Sequence, residues 1–254
     1  MTVDKVQRQR FELKYVVPES VALGVRDFVQ AHLRIDEYGA TQPNLSYPVH
    51  SLYLDSDSLK LYQDTINGNK NRHKLRIRFY ENGAFAPVYF EIKRRNDNAI
   101  SKLRGKVRRS AVESLVSGQA PSIMDLESDN GGDLVAVQEF HRRLMSIDAK
   151  PKAHVSYMRE AWETEHGNAV RVTMDREVRS APEFTASLRT GQDDPILVFG
   201  EDVVLELKFT DRFPAWMRDL VRAFGLRQRS AGKYVDGVYN TEPGRIAAWH
   251  AVYA

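Results

Sequence analysis

Cysteine is absent from this 254-residue chain, which excludes disulfides and thiolate metal centres. No apolar run is long enough to cross a bilayer. The first ten residues, Met1 to Arg10, are too polar and charged to act as a secretory leader. The seven histidines show no His-x-x-x-His spacing, so zinc is not expected. Glycine-rich phosphate loops of the Walker or Rossmann type are missing, as is a nucleophile-elbow motif, and no solenoid period recurs. The three tryptophans, Trp162, Trp216 and Trp249, read as packing residues. The expectation is a cytoplasmic globular protein, with any membrane contact made through a partner protein at the inner face of the membrane.

Charge is plentiful but unevenly spread. The whole chain carries a formal net charge of +3, with 28% charged and 42% hydrophobic residues. Residues 70–109 alone hold 13 Lys or Arg against 3 Asp or Glu. Such a block is either a solvated surface or a site for a polyanion.

The pattern of that charge decides between the two. Segments alternate with a period of two at 10–17, 49–54, 74–80, 87–94, 99–107, 153–161, 169–175 and 203–209, which is the strand signal. Eight strands are enough to close a barrel. Helical spacing appears at 18–33, 57–66, 132–145, 211–224 and 246–252. Loops are expected at 36–46, 117–133 and 187–196. The expected fold is therefore α+β: a closed eight-stranded antiparallel β-barrel with helices packed outside, as a single domain over residues 1–254.

An ordinary half-exposed strand has a mixed polar face. Here that face is ionic and carries both signs. Arg10, Glu12 and Lys14 share one face, with Phe11, Leu13 and Tyr15 on the other. Arg76 and Arg78 oppose Leu75, Ile77 and Phe79. Glu91 and Lys93 oppose Phe90 and Ile92, and Arg171, Thr173 and Asp175 oppose Val170, Val172 and Met174. Glu206 and Lys208 oppose Leu205, Leu207 and Phe209. Glu-x-Lys thus recurs three times. If the apolar faces pack on helices, the ionic faces point into the lumen. A lumen of Lys, Arg and Glu requires water and a counter-ligand, because isolated buried charge is costly. Lys and Arg suit phosphoryl oxygens, and carboxylates suit Mg²⁺ or Mn²⁺. Nucleic acid is not expected, since aromatics such as Tyr80, Phe85, Tyr89 and Phe90 are read as alternating opposite the basic residues.

Several motifs in order resemble the VTC domain, the polyphosphate polymerase domain of the vacuolar transporter chaperone complex. They are Arg10-Phe11-Glu12-Leu13-Lys14-Tyr15, Ser51-Leu52-Tyr53-Leu54-Asp55-Ser56, Arg76-Ile77-Arg78-Phe79-Tyr80, Phe90-Glu91-Ile92-Lys93, Ser156-Tyr157-Met158-Arg159, Val170 to Asp175, and Leu205-Glu206-Leu207-Lys208. The family is similar to the triphosphate tunnel metalloenzymes, also called CYTH-like. The resemblance implies that Lys14, Arg76, Arg78, Lys93, Arg159 and Arg171 bind phosphates, with Lys102, Arg104 and Lys208 beside them. It implies phosphate support from Tyr157, a tunnel lysine at Lys233, and a metal on Glu206. Glu12 and Glu91 are read as further metal ligands, as orienters of Lys and Arg, or as a water-activating base. The sequence departs from the family at Ser230-Ala231-Gly232-Lys233, where Ser usually precedes the lysine. It resembles a stand-alone bacterial-type version.

The implied activity is metal-dependent phosphoryl transfer, with Mn²⁺ or Mg²⁺, from ATP to a growing polyphosphate chain. ATP or another triphosphate and inorganic polyphosphate are the expected partners, besides a membrane protein. The alternatives are a tunnel triphosphatase and a non-catalytic polyphosphate-binding accessory protein.

Overall fold

A computed structural model describes residues 10–97, 99–165, 169–241 and 246. Its elements in order are β1 (Arg10–Val17), α1 (Glu19–Val29), β2 (Arg34–Ile35), α2 (Glu37–Ala40), β3 (Ser46–Asp55), α3 (Lys60–Ile66), β4 (Asn71–Phe79), β5 (Val88–Asn96), β6 (Ala99–Val107), α4 (Val112–Val116), α5 (Gly131–Ser146), β7 (Lys150–Glu163), β8 (Val170–Pro182), β9 (Ile196–Leu197), β10 (Val203–Thr210), α6 (Ala215–Ala223) and α7 (Lys233–Asn240). The helix expected over 246–252 lies almost wholly outside the described residues. Three helices the sequence spacing did not mark are α2, inside the expected loop at 36–46, α4 and α7.

All pairings are antiparallel, in the order β2-β7-β3-β4-β5-β6-β1-β10-β8-β9, and β7 also pairs with β8. The expectation of a closed eight-stranded barrel is corrected. The sheet has ten strands and is not zipped shut, because among the described residues β1 and β6 share a single residue pair, Arg10 with Ile100. By contrast, β1 is paired along its whole length with β10, and β5 likewise with β6. Side chains span the weak seam where backbone does not: Lys93 Nζ of β5 lies 3.1 Å from Glu12 Oε2 of β1.

The apolar strand faces pack outward on helices in two clusters, and a third cluster shares the inward side with the cavity lining. Leu75, Ile77, Phe79, Phe90 and Ile92 meet Val137, Phe140 and Leu144 of α5. Val172, Met174, Leu205 and Leu207 meet α1 through Val25 and Val29, and α6 through Met217 and Leu220. Val49, Ala153 and Val155 meet Tyr62 of α3 and Tyr234 and Val238 of α7. Gly105 admits α5 to β6: a Cβ there would lie 2.6 Å from Asp133 O and from Val137 Cγ2. With the apolar faces engaged outside, the opposite faces turn to a shared interior.

That interior is fixed at one end by α3 and α7. Asp55, at the end of β3, is fully buried and accepts the backbone N–H groups of Ser56, Leu61 and Tyr62, so it satisfies the start of α3. It also accepts the Tyr234 hydroxyl at 2.8 Å. The Tyr234 ring stacks on Tyr53 at 4.7 Å, which sets α7 across this end.

Candidate functional site

The inward faces enclose a cavity of about 670 Å³. Among the described residues, eleven Lys or Arg and six Asp or Glu line it. All of the residues read from the sequence as phosphate- or metal-binding line it: Glu12, Lys14, Arg76, Arg78, Glu91, Lys93, Lys102, Arg104, Tyr157, Arg159, Arg171, Glu206, Lys208 and Lys233. The strand alternation explains this, because every second residue of β1, β4, β5, β6, β8 and β10 turns the same way.

One wall is built from β4, β5 and β6. Glu91 is buried here, and holds Arg76 at 2.6 Å, Arg104 at 3.3 Å and Lys102 at 3.8 Å. Burial pushes its carboxyl up, but Arg76, Arg78 and the other cations outweigh that and hold it well below the usual carboxylate range. Arg78 donates to Ser51 Oγ at 3.1 Å and to the Tyr157 hydroxyl at 3.0 Å, and its buried Nε has no partner among the described residues. Lys74, which the sequence reading passed over, lies on the same face and has no carboxylate within ion-pair distance among the described residues. Burial pushes its ammonium down to about 8, and Lys102 is pushed down to about 8 by the same cause. The signal was present in the sequence, as Lys74 has the parity of Arg76 and Arg78.

The facing wall is built from β1, β10, β8 and β7 with α7. Lys14 Nζ lies 3.2 Å from both Glu12 and Glu206. Lys208 lies 2.5 Å from Glu206 and Lys233 lies 3.0 Å from it. Arg159 grips Asp175 with two bonds of 2.7 Å, and Lys233 lies 2.6 Å from the same carboxylate. Burial opposes charge on Glu206, yet Lys14, Lys208 and Lys233 hold its carboxyl well below the ordinary range. Burial likewise opposes the Lys14 ammonium, and Glu206 and Glu12 reverse this and raise it. Lys208 differs: despite its short contact with Glu206, burial brings it down to about 8, with Arg159 adding to the effect.

Arg171 is held by Asp36 at 2.9 Å and Glu163 at 3.1 Å. Three cations surround the Tyr157 ring: Arg159 and Lys233 at 5.0 Å and Arg78 at 6.0 Å from its centre. The expectation that the aromatics oppose the basic residues holds for Phe90, which is in the core, but is corrected for Tyr80 and Tyr89, which line the cavity. Position 89 has the same parity as 91 and 93, so the alternation itself puts Tyr89 on the ionic face.

The solved structure of a putative adenylate cyclase from Bacillus halodurans shares this fold, with a TM-score of 0.50 at 15% identity over 89% of this chain and 94% of that one. A second solved structure, the Schizosaccharomyces pombe Mediator head module, gives a TM-score of 0.43 at 7% identity over 85% of this chain and 91% of that one, too loose to bear on the fold. No curated protein matches the chain. The VTC domain family matches residues 9–241. The chain belongs to the VTC domain family.

A divalent ion, Mn²⁺ or Mg²⁺, is what the sequence resemblance implies for this cavity. Among the described residues, no three His, Cys, Asp or Glu form a ready metal cluster. The donors present nevertheless fit Mg²⁺ or Mn²⁺. Glu12 and Glu206 already converge on one cation, the Lys14 ammonium. Hard divalent ions commonly take one or two carboxylates and complete their shell with substrate phosphate oxygens and water. Glu91 is not part of that convergence; its contacts are all with the arginines and lysine of the opposite wall.

Proposed function

We propose that this protein is a phosphotransferase that draws on a nucleoside triphosphate such as ATP and extends an inorganic polyphosphate chain inside the cavity. The observation that carries the reading is the contrast within one enclosed space. Six cations with a single carboxylate on β4–β6 face the Glu12 and Glu206 pair across the cavity. A polyanion neutralises the first wall. Glu12 and Glu206 would hold a divalent ion, which would supply Lewis-acid stabilisation of phosphate charge.

The chain's own residues do the rest. Arg76 and Arg78 supply guanidinium donors to non-bridging oxygens, with Arg76 oriented by Glu91 and Arg78 by Ser51 and Tyr157. Arg159 is locked by Asp175, so its remaining N–H groups are presented without loss of rotamer freedom. Lys93 stands between the walls, 3.1 Å from Glu12. Phosphoryl transfer of this kind requires positioning and charge stabilisation, not a protein nucleophile. The acceptor is a phosphate or polyphosphate end lying in line behind the transferred group.

The test is incubation of the protein with ATP and Mn²⁺ or Mg²⁺, with and without pyrophosphate, followed by gel and phosphorus NMR analysis beside Glu206→Gln. Long phosphoanhydride chains that vanish in the variant support the reading. Orthophosphate as the sole product, lost in the variant, replaces it with a triphosphatase. Tight polyphosphate binding with no turnover replaces it with an accessory binder.

A further inference from the structure

At the end of the cavity remote from α7 the lining changes from ions to rings. Tyr38 lies 5.6 Å from Tyr47, Tyr47 lies 6.5 Å from Tyr80, and Tyr80 lies 6.4 Å from Tyr89, centre to centre. The Arg104 guanidinium carbon lies 3.4 Å from the centre of the Tyr89 ring. All five residues line the cavity. Tyr47 and Tyr53 are six residues apart on β3, so this collar is about 20 Å from the end where Tyr53 meets α7.

Tyr38 differs from the other rings. It is 61% exposed, whereas Tyr47 is buried, and it still has a fixed position. Its helix α2 is secured by Asp36, a buried carboxylate that accepts the Gly39 N–H at 2.9 Å, the Tyr47 hydroxyl at 2.8 Å and the Arg171 guanidinium at 2.9 Å. Gly39 is required for that seat, since a Cβ would lie 2.8 Å from the Leu45 carbonyl oxygen. An exposed ring on a rigid mount therefore stands at the mouth of a cationic cavity, beside a guanidinium already placed over a second ring.

Aromatic side chains and arginine planes stack on flat heterocycles, and such stacking tolerates any base. We propose that the Tyr38–Tyr89–Arg104 collar binds the nucleobase of the triphosphate whose phosphates enter the cavity, and so selects a nucleotide over a bare phosphate chain. This rests on the reading that the cavity takes a triphosphate. It also sets a direction: the base stays at the collar and the terminal phosphate points toward Lys14, Lys74 and α7.

The experiment is calorimetric binding of ATP and of inorganic tripolyphosphate to the whole protein, to Tyr38→Ala and to Tyr38→Trp. Tyr38 is exposed, so unchanged melting curves are expected for both variants. The expected result is roughly a tenfold weaker ATP affinity in Tyr38→Ala, recovery in Tyr38→Trp, and equal tripolyphosphate affinity in all three proteins. Loss of both ligands together in Tyr38→Ala, or loss of neither, overturns the collar and leaves the phosphate cavity standing. Failure of the unaltered protein to bind either ligand overturns the cavity reading and the collar with it.

Discussion

The two walls of the cavity are made of the same residue types and behave differently. On β4–β6, Lys74, Arg76, Arg78, Lys93, Lys102 and Arg104 line the cavity beside one carboxylate among the described residues, Glu91, and Lys93 reaches across to Glu12. On the facing side, Lys14, Arg159, Arg171, Lys208 and Lys233 are matched by Glu12, Glu163, Asp175 and Glu206. The cation-rich wall carries the cost of buried positive charge, visible in the depressed Lys74 and Lys102. Across from it, opposite charges reinforce one another: Lys14 is raised while Glu12 and Glu206 are lowered. An anion relieves the first wall. The second is largely satisfied by its own carboxylates, Lys208 excepted, which burial brings down to about 8.

The largest expected effect breaks the first wall. Replacing Arg76 and Arg78 together by alanine removes two charged hydrogen-bond donors, each worth about 1.5–3 kcal/mol. Tripolyphosphate affinity measured by calorimetry should fall by roughly a hundredfold or more. A loss below tenfold would show that the excess charge does not hold the ligand.

Breaking the second wall should have the opposite profile. Glu206→Gln leaves Lys14, Lys208 and Lys233 without their shared carboxylate. Removing one partner from a buried pair costs about 3–5 kcal/mol, so the denaturant midpoint should drop. Tripolyphosphate affinity should be kept or increased, because net positive charge rises. Equal loss of binding in both variants would erase the distinction between the walls.

Acid sharpens the comparison next. Glu12, Glu91 and Glu206 have folded-state values below the usual carboxylate range. The stability they contribute is present above their unfolded value, near 4.5, and is lost as pH falls below it toward the folded values. Denaturation curves at pH 7, 5, 4 and 3 should show a flat upper range and a steep loss below about 4.5. Glu206→Gln should flatten part of that slope.

Alkali gives the smallest effect. Lys74, Lys102 and Lys208 lose their protons near 8 in the free protein. Tripolyphosphate affinity should therefore decline a few-fold between pH 7 and 9, as positive charge leaves the cavity. Lys74→Arg keeps its charge and should reduce the decline; an unchanged pH profile would show that Lys74 does not meet the ligand.

Much of this arrangement was legible in the chain. Period-two alternation marked the strands, and the recurring Glu-x-Lys and Arg-x-Arg pairs marked one face of each as ionic. Strand ends were less legible: β7 runs from Lys150 and β8 to Pro182, well beyond the alternating cores at 153–161 and 169–175. Register between strands is set by pairing partners distant in sequence, so no local pattern reports that Lys14 lies between Glu12 and Glu206. Asp36 and Asp55 read as loop and strand-end acids, and acquire their roles by accepting from Arg171, Tyr47 and Tyr234.

The sequence by itself determined which side chains share a face, because residues two apart on a strand point the same way whatever surrounds them. It also determined that the apolar faces must be covered, since exposed strips of Leu, Ile, Val and Phe do not stay in water. Tertiary structure alone decided that β6 and β1 meet at one residue pair, that the carboxylates divide one to Glu91's wall and the rest opposite, and that Tyr38 stands over the mouth. Those outcomes depend on how strands stagger and twist as the sheet curls, and on helices seated from far along the chain, which no short stretch of sequence encodes.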